Sequence, residues 1–130
     1  MKKRISKRIN ARTRLVQKKY YETLKRLNGR CSFCDPYYWH HNVLDEHKYF
    51  YIIENEFPLS IFESRDVIAH LLVIPKAHFT DLSKFASSDF AELSKILAEY
   101  EPKGFTILAH AAQSPARTVM HQHTHLIKVK

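Results

Sequence analysis

The sequence predicts an α+β domain carrying an added basic helix at its N-terminus, and three patterns predict it. Short β-rich runs fall between residues 49 and 74 and again at 105–109 and 118–129, separated by turn residues. One segment of helical periodicity, Ser88 to Tyr100, lies between them. Ahead of them all runs a Lys/Arg-rich stretch with its own helical stripe. Strands grouped on both sides of one main helix give an α+β arrangement rather than repeated βαβ units.

In the first thirty residues, Ile5, Ile9, Val16, Tyr20, Leu24 and Leu27 recur in steps of three, four or seven, and Asn28-Gly29 supplies the stop. This predicts a helix over 5–27. Residues 1–30 hold twelve Lys/Arg against one acid, Glu22, whereas the remaining hundred hold nine against twelve. The chain therefore divides into a basic helical extension, 1–30, and a mildly acidic domain, 31–130. Such an extension either packs on its own domain or a dimer partner with a solvated basic face, or is an electrostatic arm for nucleic acid.

Cys31-Ser-Phe-Cys34 follows; two thiolates at this spacing can bite one metal ion. No second Cys pair follows, and His40-His41 are too close for a finger, so further ligands must be brought in by the fold. Residues 35–48 read as a loop. Tyr49 to Ile53 reads as a strand, Asn55 to Pro58 as a turn, and Leu59 to Phe62 as a second strand. His70-Leu-Leu-Val-Ile74 is a compact apolar run closed by Pro75, as expected of a central strand. Ser88 is the expected N-cap of the main helix, with Asp89 and Glu92 in its first turn and Phe90, Leu93, Leu97 and Tyr100 along its core face. Pro102 and Gly104 end it, and Phe105 to Ala109 forms the next strand.

The last element, Thr118 to Val129, contains His121, His123 and His125 in alternation with Gln122 and Thr124. In a strand all three imidazoles would leave one face. Imidazole can act as nucleophile, acid, base or ligand near neutral pH, and this row sits among β-branched and aliphatic residues rather than in a polar tail. It reads as a functional row. No apolar run approaches membrane-spanning length, and the charged start has no apolar stretch of the secretory kind after it. An Arg-rich, nearly acid-free start also matches an organellar presequence, although only one serine precedes residue 30. Two cysteines without an export signal point to a reducing, cytoplasmic setting and to thiolate chemistry.

His121-Gln-His-Thr-His125 preceded by Thr118-Val119 resembles the signature of the histidine-triad (HIT) superfamily. His70-Leu-Leu-Val-Ile-Pro-Lys-Ala-His78 resembles that family's second block, and Cys31-Ser-Phe-Cys34 the cysteine pair of its zinc-containing members. The three blocks occur in family order across about residues 31 to 129. The resemblance implies a HIT-like fold with a mostly antiparallel sheet, a homodimer, and action at the α-phosphate of a nucleotide, such as a nucleoside phosphoramidate or dinucleoside polyphosphate. It assigns His123 as nucleophile, His125 and His70 as flanking donors or proton carriers, and Thr118 as a hydroxyl contacting phosphate or leaving group. Cys31, Cys34, His78 and His121 match the ligands of a structural zinc.

Several positions depart from the pattern. Gln122 and Thr124 stand where the family has hydrophobic residues, so that face is either less buried or buried with hydrogen bonds. Ala116-Arg117 replaces Gly-Gln, with Arg117 a candidate phosphate clamp. His110 takes the place of a phosphate-side Asn, and Phe62 that of a ribose-binding acid, for which Glu63 or Asp66 could substitute. Gln122, Arg117 and His110 are therefore the candidate substrate-binding residues. Three functions stay open from the sequence: a nucleotide hydrolase or transferase, a nucleotide-binding module without chemistry, and a nucleic-acid-associated protein using the basic arm.

Overall fold

The computed structural model describes residues 10–130. In chain order, α1 (Arg14–Leu27), β1 (Val43–Glu46), β2 (Phe50–Glu54), β3 (Ile61–Phe62), β4 (Arg65–Pro75), α2 (Ser87–Tyr100), β5 (Thr106–Leu108) and β6 (Thr124–Val129) make up one helical extension, one sheet and one main helix. The α+β expectation is met, with an antiparallel sheet in the order β1-β2-β4-β6-β5 and β3 folded back on β4.

Ile5 and Ile9 lie outside the described residues. Within them, α1 begins at Arg14, where the Thr13 hydroxyl accepts the Val16 N–H at 3.3 Å and caps the helix. It ends as expected on Asn28, whose φ of 48° is left-handed, followed by Gly29. Tyr20, Thr23 and Leu27 are buried along the predicted stripe, while Leu15 and Tyr21 face solvent. Just before the helix, Ala11 exchanges backbone hydrogen bonds with Ile61, both 3.0 Å, which stitches the extension to β3.

The sheet has two differently covered faces because side chains alternate along each strand. Phe50, Ile52, Leu71, Val73 and Leu126 pack against Leu93 and Ile96 of α2. Ile53, Leu72 and Ile74 face the other way, under Phe33 from within the cysteine pair and Tyr38 and Trp39 from the turns that follow it. Phe90 is not core as expected; it is 45% exposed and rests against the Phe85 ring, while Ile96 supplies the buried contact. The cap of α2 also differs: the Asp89 carboxylate accepts the Ala86 N–H at 2.8 Å, and Ala86, two residues before Ser88, is the N-cap.

Two strand expectations are corrected. Val43–Glu46 pairs with β2 although its residues read as loop, because an exposed four-residue edge has no apolar alternation to betray it. The histidine strand begins at Thr124, not at 118. Val73↔Thr124 is the last pair with β4, and before it the chain leaves the sheet to follow the β4 exit, with Gln122 N–H donating to Phe79 O at 2.6 Å.

Replacing Ile52, fully buried between sheet and α2, with Ala should cost about 2–5 kcal/mol by lost transfer energy and a residual cavity. The same change at Ile68, 55% exposed on β4, should cost about 0.5 kcal/mol or less. Urea denaturation midpoints of the two variants should separate accordingly.

Candidate active site

On the face away from α2, the β4–β6 register brings two histidines together. Leu72 lies opposite His125 and His70 opposite Ile127, so the two imidazoles are diagonal neighbours on one face. His70 Nε2 and His125 Nδ1 are 2.9 Å apart. Their proton positions follow from the outermost partner. The Leu59 N–H donates to His70 Nδ1 at 3.0 Å, so that nitrogen is bare and Nε2 carries the proton. His70 then donates to His125 Nδ1, which leaves the His125 proton on its own Nε2.

His123 is held differently, by the chain that has just left the sheet. Its Nδ1 donates to the backbone carbonyl of His121 at 2.8 Å, and Nε2 retains the free lone pair. The Phe33 ring lies edge-on at 5.0 Å between centroids, and His125 is also 5.0 Å away. Burial holds all three rings neutral. It pushes His123 and His70 down to about 4 and His125 to about 2, each reinforced by neighbouring positive charge.

The three triad histidines therefore do not form one row. His121 turns to the other end of the β4 exit, where its Nε2 donates to Pro75 O at 2.8 Å and its Nδ1 faces Cys31, Cys34 and His78. The ligand atoms of these four residues all lie within 4.8 Å of one another. His121 Nδ1 is 3.5 Å from Cys31 Sγ, 3.6 Å from Cys34 Sγ and 3.2 Å from His78 Nδ1, and Cys34 Sγ is 3.0 Å from His78 Nδ1. A tetrahedral zinc with Zn–S of about 2.3 Å and Zn–N of about 2.0 Å has S···N edges of about 3.5 Å and N···N edges of about 3.3 Å. The donor set fits. The Pro75 carbonyl adds the outer partner that fixes the tautomer of a ligating imidazole. Without a cation this crowding opposes ionisation: the Cys34 thiol is pushed up to about 11 by burial and then by Cys31. The cluster can bind a metal ion such as zinc.

His70, His123, His125, His110 and Thr118 line one open cavity of about 740 Å³. His110 is half-buried, its ring 5.7 Å from that of His125. Arg117 and Gln122, expected at the substrate, do not line it. Arg117 is buried, donates through Nε to Val119 O at 3.0 Å and has one terminal nitrogen without a partner. Gln122 is drawn behind the site by Phe79 O, and its side-chain amide donates to Thr124 Oγ1 at 3.2 Å while its own oxygen is unpaired. The positions between the histidines are thus buried with hydrogen bonds. Glu63 and Asp66 are exposed and absent from the lining, to which Phe62 contributes its ring.

The residues that sequence reasoning missed come from outside the histidine blocks. Asn55 and the Leu59 amide contact His70, and Phe33 supports His123. Arg12, Gln17, Tyr20 and Arg26 bring the extension onto the cavity wall, and the Tyr20 hydroxyl is hydrogen-bonded to that of Thr118. The tyrosine at position 20, on the apolar stripe of an otherwise basic helix, was the available signal. Among the described residues no helix is long and apolar enough to cross a membrane.

Comparison with solved structures matches this arrangement at fold level. A protein described as HIT-like shares 20% identity over 85% of this chain and 98% of its own, with a TM-score of 0.55. A HIT family hydrolase from Clostridium thermocellum gives 21%, 75%, 89% and 0.54 for the same quantities. A hypothetical histidine triad nucleotide-binding protein from Sulfolobus tokodaii gives 24%, 76%, 68% and 0.58. The chain has a HIT-like fold. No family model matches the sequence, and the search of curated proteins gives no match. Within this HIT-like fold the cysteine pair, the β4 exit and the histidine segment converge at one end of the sheet.

Elemental analysis of the purified chain should find one equivalent of a divalent metal, and Cys31→Ser or His78→Ala should lose it and lower the melting temperature. Full loading of either variant would reject the four-ligand site. Acid stability carries a second expectation. His70 and His123 titrate near 4 when folded but at about 6.5 when unfolded. The unfolded chain therefore takes up their protons first, so stability is full above the unfolded value and is lost as pH falls from about 6.5 towards 4. Denaturation midpoints measured across that window should drop with each step; a flat profile would contradict neutral buried imidazoles.

Proposed function

We propose that this chain is a nucleotide hydrolase or transferase that forms a covalent nucleotide adduct on His123. The observation that carries the reading is the proton arrangement of that residue. A neutral, buried imidazole whose Nδ1–H is committed to the His121 carbonyl presents Nε2 as a lone-pair donor to the cavity. In the proposed step the Nε2 lone pair forms a bond to the α-phosphorus while the bond to the leaving group breaks. The leaving group takes the electron pair and a proton delivered from the cavity. Water then attacks the nucleotidyl-imidazole, gives up a proton that replaces the one taken from the cavity, yields the nucleoside monophosphate and restores His123; an acceptor other than water gives transfer.

Around that step the chain would supply positioned donors. His125, protonated on Nε2 through its link to His70, is placed to donate to phosphoryl oxygen as charge grows there. Thr118 offers a hydroxyl at the cavity rim, and the half-buried His110 adds a third imidazole. The metal would be held by Cys31, Cys34, His78 and His121, a shell closed by protein groups that serves to pin the cysteine turn against the nucleophile segment. The homodimer implied by the family resemblance would use an open sheet edge; β5 is one, with Thr106 and Ile107 exposed.

The test is native mass spectrometry at neutral pH after brief exposure to adenosine and guanosine phosphoramidates and to the corresponding dinucleoside polyphosphates. A nucleotidyl mass shift that maps to His123, absent in His123→Asn, is expected together with a loss of at least about a thousandfold in turnover, in line with removal of a covalent nucleophile. The same spectra read the subunit number. A His123→Asn variant that keeps its rate would sink the covalent route.

A further inference from the structure

The extension places a cation that has no counter-charge among the described residues on the wall of the histidine cavity. Arg12 is half-buried, and its Nε donates to Phe57 O at 2.7 Å, which fixes the guanidinium. It lies 4.8 Å from the centre of the Tyr20 ring, and the Tyr20 hydroxyl continues to Thr118. Arg12 is near enough to His70 and His125 for its charge to oppose their protonation. Among the described residues no carboxylate pairs with it. Among the described residues Glu56 is the one acidic side chain on the cavity wall, and it faces His41 at 3.9 Å. A fixed guanidinium held away from carboxylates, with two hydroxyls and neutral imidazole donors beside it, suits a phosphate oxygen.

We infer that Arg12, braced by Tyr20, is a specificity-determining residue that selects nucleotides whose leaving group is itself a phosphate. Of the two substrate classes that the family resemblance implies, Arg12 favours the one whose leaving group is a phosphate over the phosphoramidate with its uncharged amine. This deepens the nucleotide reading of the same cavity and rests on it. Attack at the α-phosphorus would expel a phosphate-terminated group whose growing negative charge is met by the guanidinium. The electron pair of the broken bond stays on that group's bridging oxygen, so no proton is required where the charge is paired. Arg12 would thus contribute from a segment outside the strands that hold the histidines.

The experiment compares equilibrium affinities for adenosine and guanosine 5′-monophosphates with those for their methylene-bridged 5′-diphosphates, using the full chain loaded with metal. The native protein should bind the diphosphate form about tenfold or more tightly than the monophosphate, the scale of one added charge-assisted contact. Arg12→Gln should bring that ratio close to one, while Arg12→Lys, which keeps the charge, should restore part of it. Arg12→Met, whose aliphatic stem still covers Tyr20, serves if Arg12→Gln does not fold. A ratio near one in the native chain, or a ratio unchanged in both neutral variants, would overturn the assignment. The readout needs no turnover. A chain that gives no His123 adduct but keeps the Arg12-dependent ratio loses the covalent mechanism and retains the anion site. An adduct without the ratio retains the covalent mechanism and loses the anion site.

Discussion

The pairing of β4 with β6 is the constraint on which the rest of the molecule depends. Its register sets Leu72 against His125 and His70 against Ile127, and in doing so divides each strand between two environments. Leu71, Val73 and Leu126 face α2, while His70, Leu72, His125 and Ile127 face the cavity. Because side chains alternate with a period of two, a slip of one residue would send imidazoles into the α2 core and aliphatic groups into the site. The apolar face therefore enforces the polar one. The eleven residues of β4 give this register most of its length, and β2 locks the strand from its other side.

At the end of that pair the backbone stops serving the sheet and starts serving the site. Pro75 closes β4 and offers its carbonyl to His121, and Phe79 takes the Gln122 amide. This detour separates the three histidines into two environments. His121 turns towards sulfur donors, while its own carbonyl receives the proton of His123. One residue thus links the candidate metal cluster to the candidate nucleophile through a single peptide unit. The cost lies in buried polarity: Gln122, Thr124, Arg117 and His123 are all nearly removed from solvent, and unpaired atoms persist on Gln122 and Arg117.

Much of this could be read from residues alone, for reasons that differ by element. The apolar run of β4, the period of α2 and the Asn28-Gly29 stop are local signals, and each element formed near its predicted place. Of the four-ligand cluster the residues alone gave only the cysteine pair, and the resemblance to the zinc-containing HIT members supplied His78 and His121. The β1 edge escaped because exposed edges carry little hydrophobic pattern. The early start assigned to the histidine strand came from alternation alone, which an extended chain displays whether or not it finds a partner. Sequence reasoning did not anticipate the turn of the backbone at Gln122, which is held by Phe79, more than forty residues away in sequence. No local pattern encodes that contact. The place of Tyr20 and Arg12 at the cavity escaped for a related reason, since a packed stripe does not reveal which surface it packs on.

The manner in which α1 is attached gives the site two rates of change. Histidines on or beside central strands are tied to the register of the whole sheet, so their replacement disturbs stability and chemistry together. The helix that roofs the cavity is joined through the short Ala11–Ile61 bridge and a stripe led by Tyr20, Thr23 and Leu27. Its remaining surface answers to few packing demands. Drift in this segment can reshape the rim, its charge and its width while the floor stays as it is. Diversification among related chains would accordingly be concentrated in the roof, and a single floor could accept a succession of ligands without being rebuilt.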